Sequence, residues 1–205
     1  MKAFIHGFVL AFGLILPLGV QNVFVFNQGA GQPTFLRAVP VIITASLCDT
    51  LLILSAVLGV SLAVLNLVWL KALLFGAGFL FLIYMGWTVW KSASAVKNDV
   101  HQEAMAPKKQ IIFAVSVSLL NPHAIIDTVG VIGTSSLHYT ANEKWIFATA
   151  AIFVSWIWFF GLALSGRILG TLDPDGKWII FINKISALII WGAAVYIAIS
   201  LKLNN

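Results

Sequence analysis

Long apolar runs separated by short charged stretches make up most of the chain. Cutting the sequence at its charges leaves six runs, each close to the roughly 20 residues that a helix needs to cross a bilayer. Because backbone polar groups in lipid must be satisfied within their own segment, each run is predicted to be a helix. The six predicted spans are 4–27, 39–62, 68–90, 110–133, 145–166 and 178–201.

Composition excludes several other classes of protein. Hydrophobic residues make up 60% of the 205 residues and charged residues only 9%, whereas a soluble domain is about a quarter charged. This balance excludes a soluble enzyme, a disordered tail and a nucleic-acid-binding module, and it indicates a polytopic membrane protein. The net charge of +5 comes from Lys and Arg residues that are scattered between the apolar runs. We therefore interpret it as the charge of the loops that connect the spans.

The one long polar connection, 91–109, divides the chain into halves of three spans each. We expect a first three-helix repeat over 1–90, a cytoplasmic loop over 91–109 and a second three-helix repeat over 110–205. The positive-inside rule favours the face with more Lys and Arg in its short loops as the cytoplasmic one, which places both termini outside. That face carries Arg37, Lys91, Lys97, Lys108, Lys109, Arg167 and Lys177, against Lys2, Lys71, Lys144 and Lys202 on the other.

Two halves with an odd number of spans must insert in opposite orientations, which is an architecture of transporters. A trace of such a repeat is visible, because Leu16-Pro17 recurs as Asn121-Pro122 and a polar residue follows five positions after each proline. These polar residues are Asn22 and Asp127. The same offset of about 105 residues relates Lys71 to Lys177 and Gly86 to Gly192. The predicted fold is therefore all-α, with six transmembrane helices as two inverted three-helix repeats.

Both prolines fall near the middle of their spans, where proline removes a backbone donor and disturbs the preceding turn. Asn121 before Pro122 has the form of a helix start, and Gly19 after Pro17 tolerates unwinding. Helices 1 and 4 are therefore predicted to be broken at mid-membrane. A half-helix that begins there presents free N–H groups and a partial positive charge, which suits a carboxylate.

Asp49 and Asp127 lie near the middle of predicted spans, where a carboxylate costs roughly 2.5–3.5 kcal/mol. Such residues mark substrate pathways or proton relays. The amides of Gln21, Asn22 and Asn121 add hydrogen-bonding groups, and His123 could titrate or bind substrate. Two helix starts for a carboxylate and two aspartates for a cation predict a carrier of small zwitterions or cations.

At these residues the sequence resembles the LysE family of amino-acid exporters. The residues Leu16 to Asn22, followed by Phe26-Asn27-Gln28-Gly29, resemble the first-span signature of that family. Its fourth-span signature is resembled by Leu120-Asn121-Pro122-His123 with Asp127-Thr128. The stretch 158–164 is similar to the fifth span of the arginine-exporter branch. The chain departs from the family at Val20, where a second proline is common. The resemblance implies that the substrate-binding residues are Pro17, Gly19, Gln21, Asn22, Asp49, Asn121, Pro122 and Asp127.

The resemblance implies a secondary transporter of the bacterial cell membrane that exports arginine or lysine, with an amino acid as substrate and lipid around it. Exporters of neutral amino acids such as threonine, homoserine or leucine and a small-cation channel stay open as alternatives. Neither an enzyme motif nor a P-loop is present, so no catalytic role, cofactor or metal is expected. Proton exchange is therefore the hypothesis for the energy source to which export is coupled. A single cysteine, Cys48, excludes a thiol relay. A homodimer is a further expectation.

Overall fold

The computed structural model describes residues 1–17, 19–59, 68–95, 104–173 and 176–203. Regular structure in these ranges is entirely helical. The helices are α1 (Lys2–Ile15), α2 (Val20–Gly31), α3 (Val39–Val57), α4 (Val68–Ala95), α5 (Pro107–Leu119), α6 (Pro122–Asp127), α7 (Ala141–Leu172) and α8 (Lys177–Leu203). A short 3₁₀ turn, Phe35–Ala38, leads into α3, and a π-helical segment, Thr128–Gly133, with one further turn, Thr134–Ser136, follows α6.

Several of these helices have the length and apolarity of membrane spans. In the described part of the chain, the stretches Phe35–Val57, Ala141–Leu172 and Lys177–Tyr196 each meet that criterion. α1 and α2 meet it together as a pair bent by 78°, which brings the number of apolar spans to as many as four. The described chain is thus all-helical with several apolar spans, whereas the count of six spans and their inverted repeat remain predictions.

The ends of some helices differ from the predicted spans. α3 ends at Val57 instead of continuing to 62, because Gly59 takes a positive φ of 77° that stops a right-handed helix. α4 continues to Ala95 and α5 begins at Pro107, so helix occupies both ends of the stretch 91–109. Residues 96–103, at the centre of that predicted loop, lie outside the described residues.

Polar side chains satisfy the backbone at several helix ends. Asp173 accepts hydrogen bonds from the first backbone N–H groups of α8, and Thr140 with Glu143 forms a capping box at the start of α7. Arg167 donates from Nη1 and Nη2 to the carbonyl oxygens of Gln32 and Pro33, where α2 ends. A cation placed at a helix C-terminus is also favoured by the helix dipole.

The packing of the helices brings the two halves of the chain together. α1 and α2 lie along α7, α3 packs against α5, α7 and the π-helical segment, and α4 packs against α8. α2 and α7 approach most closely at glycines, because a methyl group on Gly29 would overlap the carbonyl oxygen of Ala163 and one on Gly166 that of Phe26. The broken first span is therefore held against the later half of the chain.

Candidate functional site

The first predicted helix break is present between α1 and α2. α1 ends at Ile15, and Gly19 precedes α2 with an extended backbone at φ −76° and ψ 174°. The side chain of Asn22 fills the break, since its Nδ2 donates to the carbonyl oxygens of Ile15 at 2.7 Å and Pro17 at 2.8 Å. The interruption leaves the carbonyl oxygen of Ile15 without a helical donor, because the N–H of Gly19 donates to the carbonyl oxygen of Pro17 instead, at 2.7 Å. Leu18, between them, lies outside the described residues.

The indole of Trp158, on α7, holds Asn22 from the other side. Its Nε1 donates to Oδ1 of Asn22 at 3.2 Å, and its ring meets that of Phe12 edge-on with centroids 5.7 Å apart. Asn22 is only 5% exposed. Both ends of its amide are therefore engaged by the protein, and the side chain stabilises the break as well as lining the site.

Asp49 is placed by α3 between side chains of two other helices. Gln21 donates from Nε2 to Oδ1 of Asp49 at 3.1 Å, and Ser155 donates from Oγ to Oδ2 at 3.0 Å. These donors come from α2 and α7, so one carboxylate links three helices. Hydrogen bonds to a charged acceptor are stronger than neutral ones, which fixes the orientation of the carboxylate. Cys48, next to it in the chain, is buried.

The second predicted break lies between α5 and α6. α5 ends at Leu119, and α6 begins at Pro122 with the N–H of Ile125 donating to the carbonyl oxygen of Asn121 at 3.2 Å. Asp127 ends α6 and is followed directly by the π-helical segment. π-helical turns are uncommon and are found frequently at functional sites.

The two breaks and the two aspartates meet at one cavity of about 190 Å³. Space for a single water is roughly 10–15 Å³ by a comparable measure, so the cavity holds a small solute or several waters. Its apolar wall includes Ile53, Leu82, Ile132, Phe159, Ile189 and Ile190. Its polar side chains belong to Gln21, Asn22, Asp49, Asn121, Asp127, Thr128 and Ser155.

Most of the residues predicted from the sequence therefore come together. The structure places Pro17, Gly19, Gln21, Asn22, Asp49, Asn121 and Asp127 around the cavity. Pro122 begins α6 beside it, while the side chains of Pro122 and His123 lie outside what the structure describes. Proximity places these residues at one site, and the role of each in binding remains a prediction.

Ser155, Thr128 and Trp158 belong to the site without having been predicted as site residues, although Thr128 and Trp158 stand in stretches that resemble the family. Ser155 had an available signal, since it follows Asp49 by 106 residues, the offset of the predicted repeat. Trp158 had no signal beyond its place in the stretch 158–164, because the hydrogen bond to Asn22 joins residues 136 positions apart.

The charges around the cavity are of one sign. Its described lining contains the carboxylates of Asp49 and Asp127 and no Lys or Arg side chain. In surroundings of low dielectric constant this imbalance favours a ligand that carries positive charge. The described residues contain no group of three or more His, Cys, Asp or Glu side chains that could hold a metal ion.

Comparison with known proteins agrees with this picture. Residues 12–201 match the family described as LysE type translocator. A Bacillus subtilis (strain 168) protein named "Putative amino-acid transporter YisU" is 55% identical over 100% of this chain and 92% of its own length. The arginine exporter protein ArgO of Serratia proteamaculans (strain 568) is 32% identical over 97% of each chain.

The arginine exporter protein ArgO of Salmonella typhimurium (strain LT2) is likewise 32% identical, over 95% of this chain and 92% of its own. No solved structure matches the chain at a significant level. The match to the family covers most of the sequence, and the relatives carry the names of transporters. The chain belongs to the LysE type translocators and is a multi-pass amino-acid transporter of the cell membrane.

Proposed function

We propose that this protein exports a basic amino acid, arginine foremost, from the cell. The observation that carries the proposal is the cavity with two carboxylates and no basic side chain among its described lining. A guanidinium or ammonium group placed there compensates the charge of Asp49 or Asp127, whereas a neutral side chain leaves it uncompensated. Relatives at 32% identity that are named arginine exporters support the same substrate.

The layout of the cavity supports a particular pose for arginine. The α-carboxylate is proposed to lie at the start of α2, where Gly19, Val20 and Gln21 line the cavity and the helix presents its first N–H groups. The guanidinium is proposed to lie on an aspartate, because its planar fork matches a carboxylate in a bidentate hydrogen bond. The methylene groups between them would pack against the apolar wall.

The arrangement of six spans as two inverted repeats is part of the proposal. It is supported by the packing, since α1 and α2 lie on α7 while the second broken span, from α5 to the π-helical segment, lies on α3. Two contacts agree with the offset: Ser155 donates to Asp49 and Trp156 to Thr50, each across 106 residues. Equivalent residues of two repeats touch each other where a two-fold axis passes between them.

Export of a cation needs a driving force. A cell interior that is negative by 100 mV holds each positive charge back by about 2.3 kcal/mol. Entry of one proton for each arginine that leaves balances the charge, so the potential no longer opposes export. We propose proton exchange as the coupling, with Asp49 or Asp127 holding the proton while the substrate is absent. Homodimer formation stays a prediction.

Efflux from proteoliposomes tests the substrate. Vesicles containing the purified protein and loaded with labelled arginine, lysine, leucine or threonine should release the basic amino acids in a saturable way and retain the neutral ones. Preferred release of leucine or threonine would identify a neutral exporter instead. Flux of small cations that does not saturate would identify a channel. Either result contradicts the proposal.

The same vesicles test the role of the carboxylate. Asp49→Asn is expected to lower arginine efflux at least about tenfold, because a charge-assisted hydrogen bond to the substrate is lost. Glu143→Gln is the matched control: it removes a carboxylate that caps α7 outside the cavity, and glutamine serves equally in a capping box. Equal efflux from wild type and Asp49→Asn at equal protein content would reject the role of Asp49.

A further inference from the structure

Several buried polar oxygens lie on helices that line the cavity but outside the lining itself, among them one on α8 and one on α2. The side chain of Ser186 on α8 is completely buried, and its Oγ has no hydrogen-bond partner among the described residues. The Oδ1 atom of Asn27 on α2 is also buried without a partner in the described part of the chain. Buried polar atoms without a hydrogen-bond partner are rare in native structures, so each requires an explanation.

Ser186 lies on the side of α8 that faces the cavity. Ile189, Ile190 and Ala193 line the cavity, and they follow Ser186 by three, four and seven residues. Residues with these spacings share one stripe of a helix. The oxygen of Ser186 therefore continues the cavity wall by one turn toward the start of α8, about 5 Å along the axis.

Asn27 occupies the matching place on α2. It follows Val20, which lines the cavity, by seven residues, or about 10 Å along the axis. Val20 and Val23 pack in one cluster with Ala187 and Ile190 of α8. The stripe that carries Asn27 therefore faces the stripe that carries Ser186.

Both residues lie on the same side of the cavity. α2 runs from the cavity toward Gly31, and its end is tied to α7 by the bonds from Arg167. α8 starts at Lys177, a short connection after the end of α7, so its first turns lie at that same face. This is the face that the distribution of Lys and Arg predicts to be cytoplasmic.

We propose that Asn27 and Ser186 form a second binding station, which receives the ammonium or guanidinium group of a basic amino acid between the cytoplasm and the central cavity. The inference rests on the proposed export of arginine. Both oxygens accept hydrogen bonds, and a guanidinium carries five N–H donors and no acceptor. A passing cationic side chain thus supplies the donors that the described protein groups do not.

Labelling of an introduced thiol tests this station. The chain has one cysteine, buried Cys48, so the wild type gives the background. Ser186→Cys in inside-out vesicles is expected to react with a small cationic methanethiosulfonate reagent. Arginine at ten times its dissociation constant is expected to slow the reaction about tenfold, in proportion to occupancy. Leucine at the same concentration should not slow it.

A matched control uses another completely buried serine. The Oγ of Ser136 donates to the carbonyl oxygen of Gly133 in the turn that follows the π-helical segment. Arginine should not change the labelling rate of Ser136→Cys, whatever that rate is. Protection of both cysteines would indicate a general closure of the protein and would overturn the station.

Transport kinetics give the second measurement. Asn27→Ala is expected to raise the KM for arginine at the inner face about tenfold, as expected when a hydrogen bond to a charged group is lost, with little change at the outer face. An unchanged KM together with unprotected Ser186→Cys, in vesicles whose wild type exports arginine, overturns the station alone. Wild-type vesicles that export no arginine overturn the proposed function, and the station with it.

Discussion

The two helix breaks differ in what fills them. Five residues after Pro17 stands Asn22, whose amide donates to two backbone carbonyls of the break and accepts from Trp158. Five residues after Pro122 stands Asp127, a carboxylate, and the helix continues from it as a π-helix. An ionised carboxylate accepts hydrogen bonds and donates none, so it cannot serve backbone carbonyls as Asn22 does. The first break is therefore filled by an amide that donates to the backbone, whereas the matching position of the second break is a carboxylate on the cavity lining.

The surroundings of the breaks differ in the same direction. α2 is locked to α7 at Gly29 and Gly166, where the backbones leave no room for a methyl group. At the π-helical segment the corresponding approach is looser, because a methyl group on Gly133 would lie 3.3 Å from the carbonyl oxygen of Ala56. We infer that the first break belongs to a rigid frame and that the second is the part that responds to substrate.

Replacing Asn22, the side chain that fills the first break, is expected to have the largest effect on stability. Asn22→Asp takes the side-chain donor away from the carbonyl oxygen of Ile15 and turns a carboxylate toward it, while the carbonyl oxygen of Pro17 keeps the N–H of Gly19. We expect the free energy of unfolding to fall by about 3 kcal/mol, since an acceptor left without its donor costs about 1–3 kcal/mol and a buried charged group without a partner costs more. Chemical unfolding in detergent micelles measures this change.

Asn142→Asp is the control for this exchange. Asn142 is exposed in the first turn of α7, where an added negative charge agrees with the helix dipole. Its effect on stability should stay within about 0.5 kcal/mol, as for most surface substitutions. Equal stability of Asn22→Asp and wild type would show that the first break does not depend on its amide.

The reciprocal exchange at the second break should affect transport instead of stability. Asp127→Asn makes the second break chemically similar to the first and removes a charge from the cavity. We expect arginine efflux to fall about 10- to 100-fold, because a hydrogen bond to a charged group contributes about 1.5–3 kcal/mol and each tenfold change corresponds to about 1.4 kcal/mol. The free energy of unfolding should be nearly unchanged. Asp127→Glu, which keeps the charge, should fall between the two. Efflux equal to wild type from Asp127→Asn would remove the difference between the breaks.

Sequence patterns predict one part of this comparison well. The breaks follow from proline at mid-span and from Asn121 before Pro122, because their backbone chemistry is local. Asp49 and Asp127 stand out because a carboxylate in an apolar span is costly. Together with the amides beside the breaks, these local signals identify five of the seven polar side chains that line the described cavity.

The remaining features depend on contacts between distant residues. Serine is compatible with a helix interior, so Ser155 carries no mark of its bond to Asp49 beyond the repeat offset. The pairing of Trp158 with Asn22 needs the packing of α2 on α7, which no single segment encodes. The π-helical segment is apolar and rich in valine and isoleucine, as ordinary spans are, so its hydrogen-bond pattern has no signature in the sequence.

The smallest effect is expected where α2 meets α7. Gly166→Ala places a methyl group against the carbonyl oxygen of Phe26, and because both partners are backbone neither moves freely. Overpacking of this kind costs about 1–3 kcal/mol, and we expect a loss of about 2 kcal/mol in detergent unfolding. Gly161→Ala, on the same helix with no atom within 4 Å of the added methyl group, should be neutral or stabilising by up to about 1 kcal/mol. If both variants have the same free energy of unfolding, the close approach at Gly166 does not stabilise the packing of α2 on α7. Packing would then no longer support the difference between a rigid first break and a second break that responds to substrate.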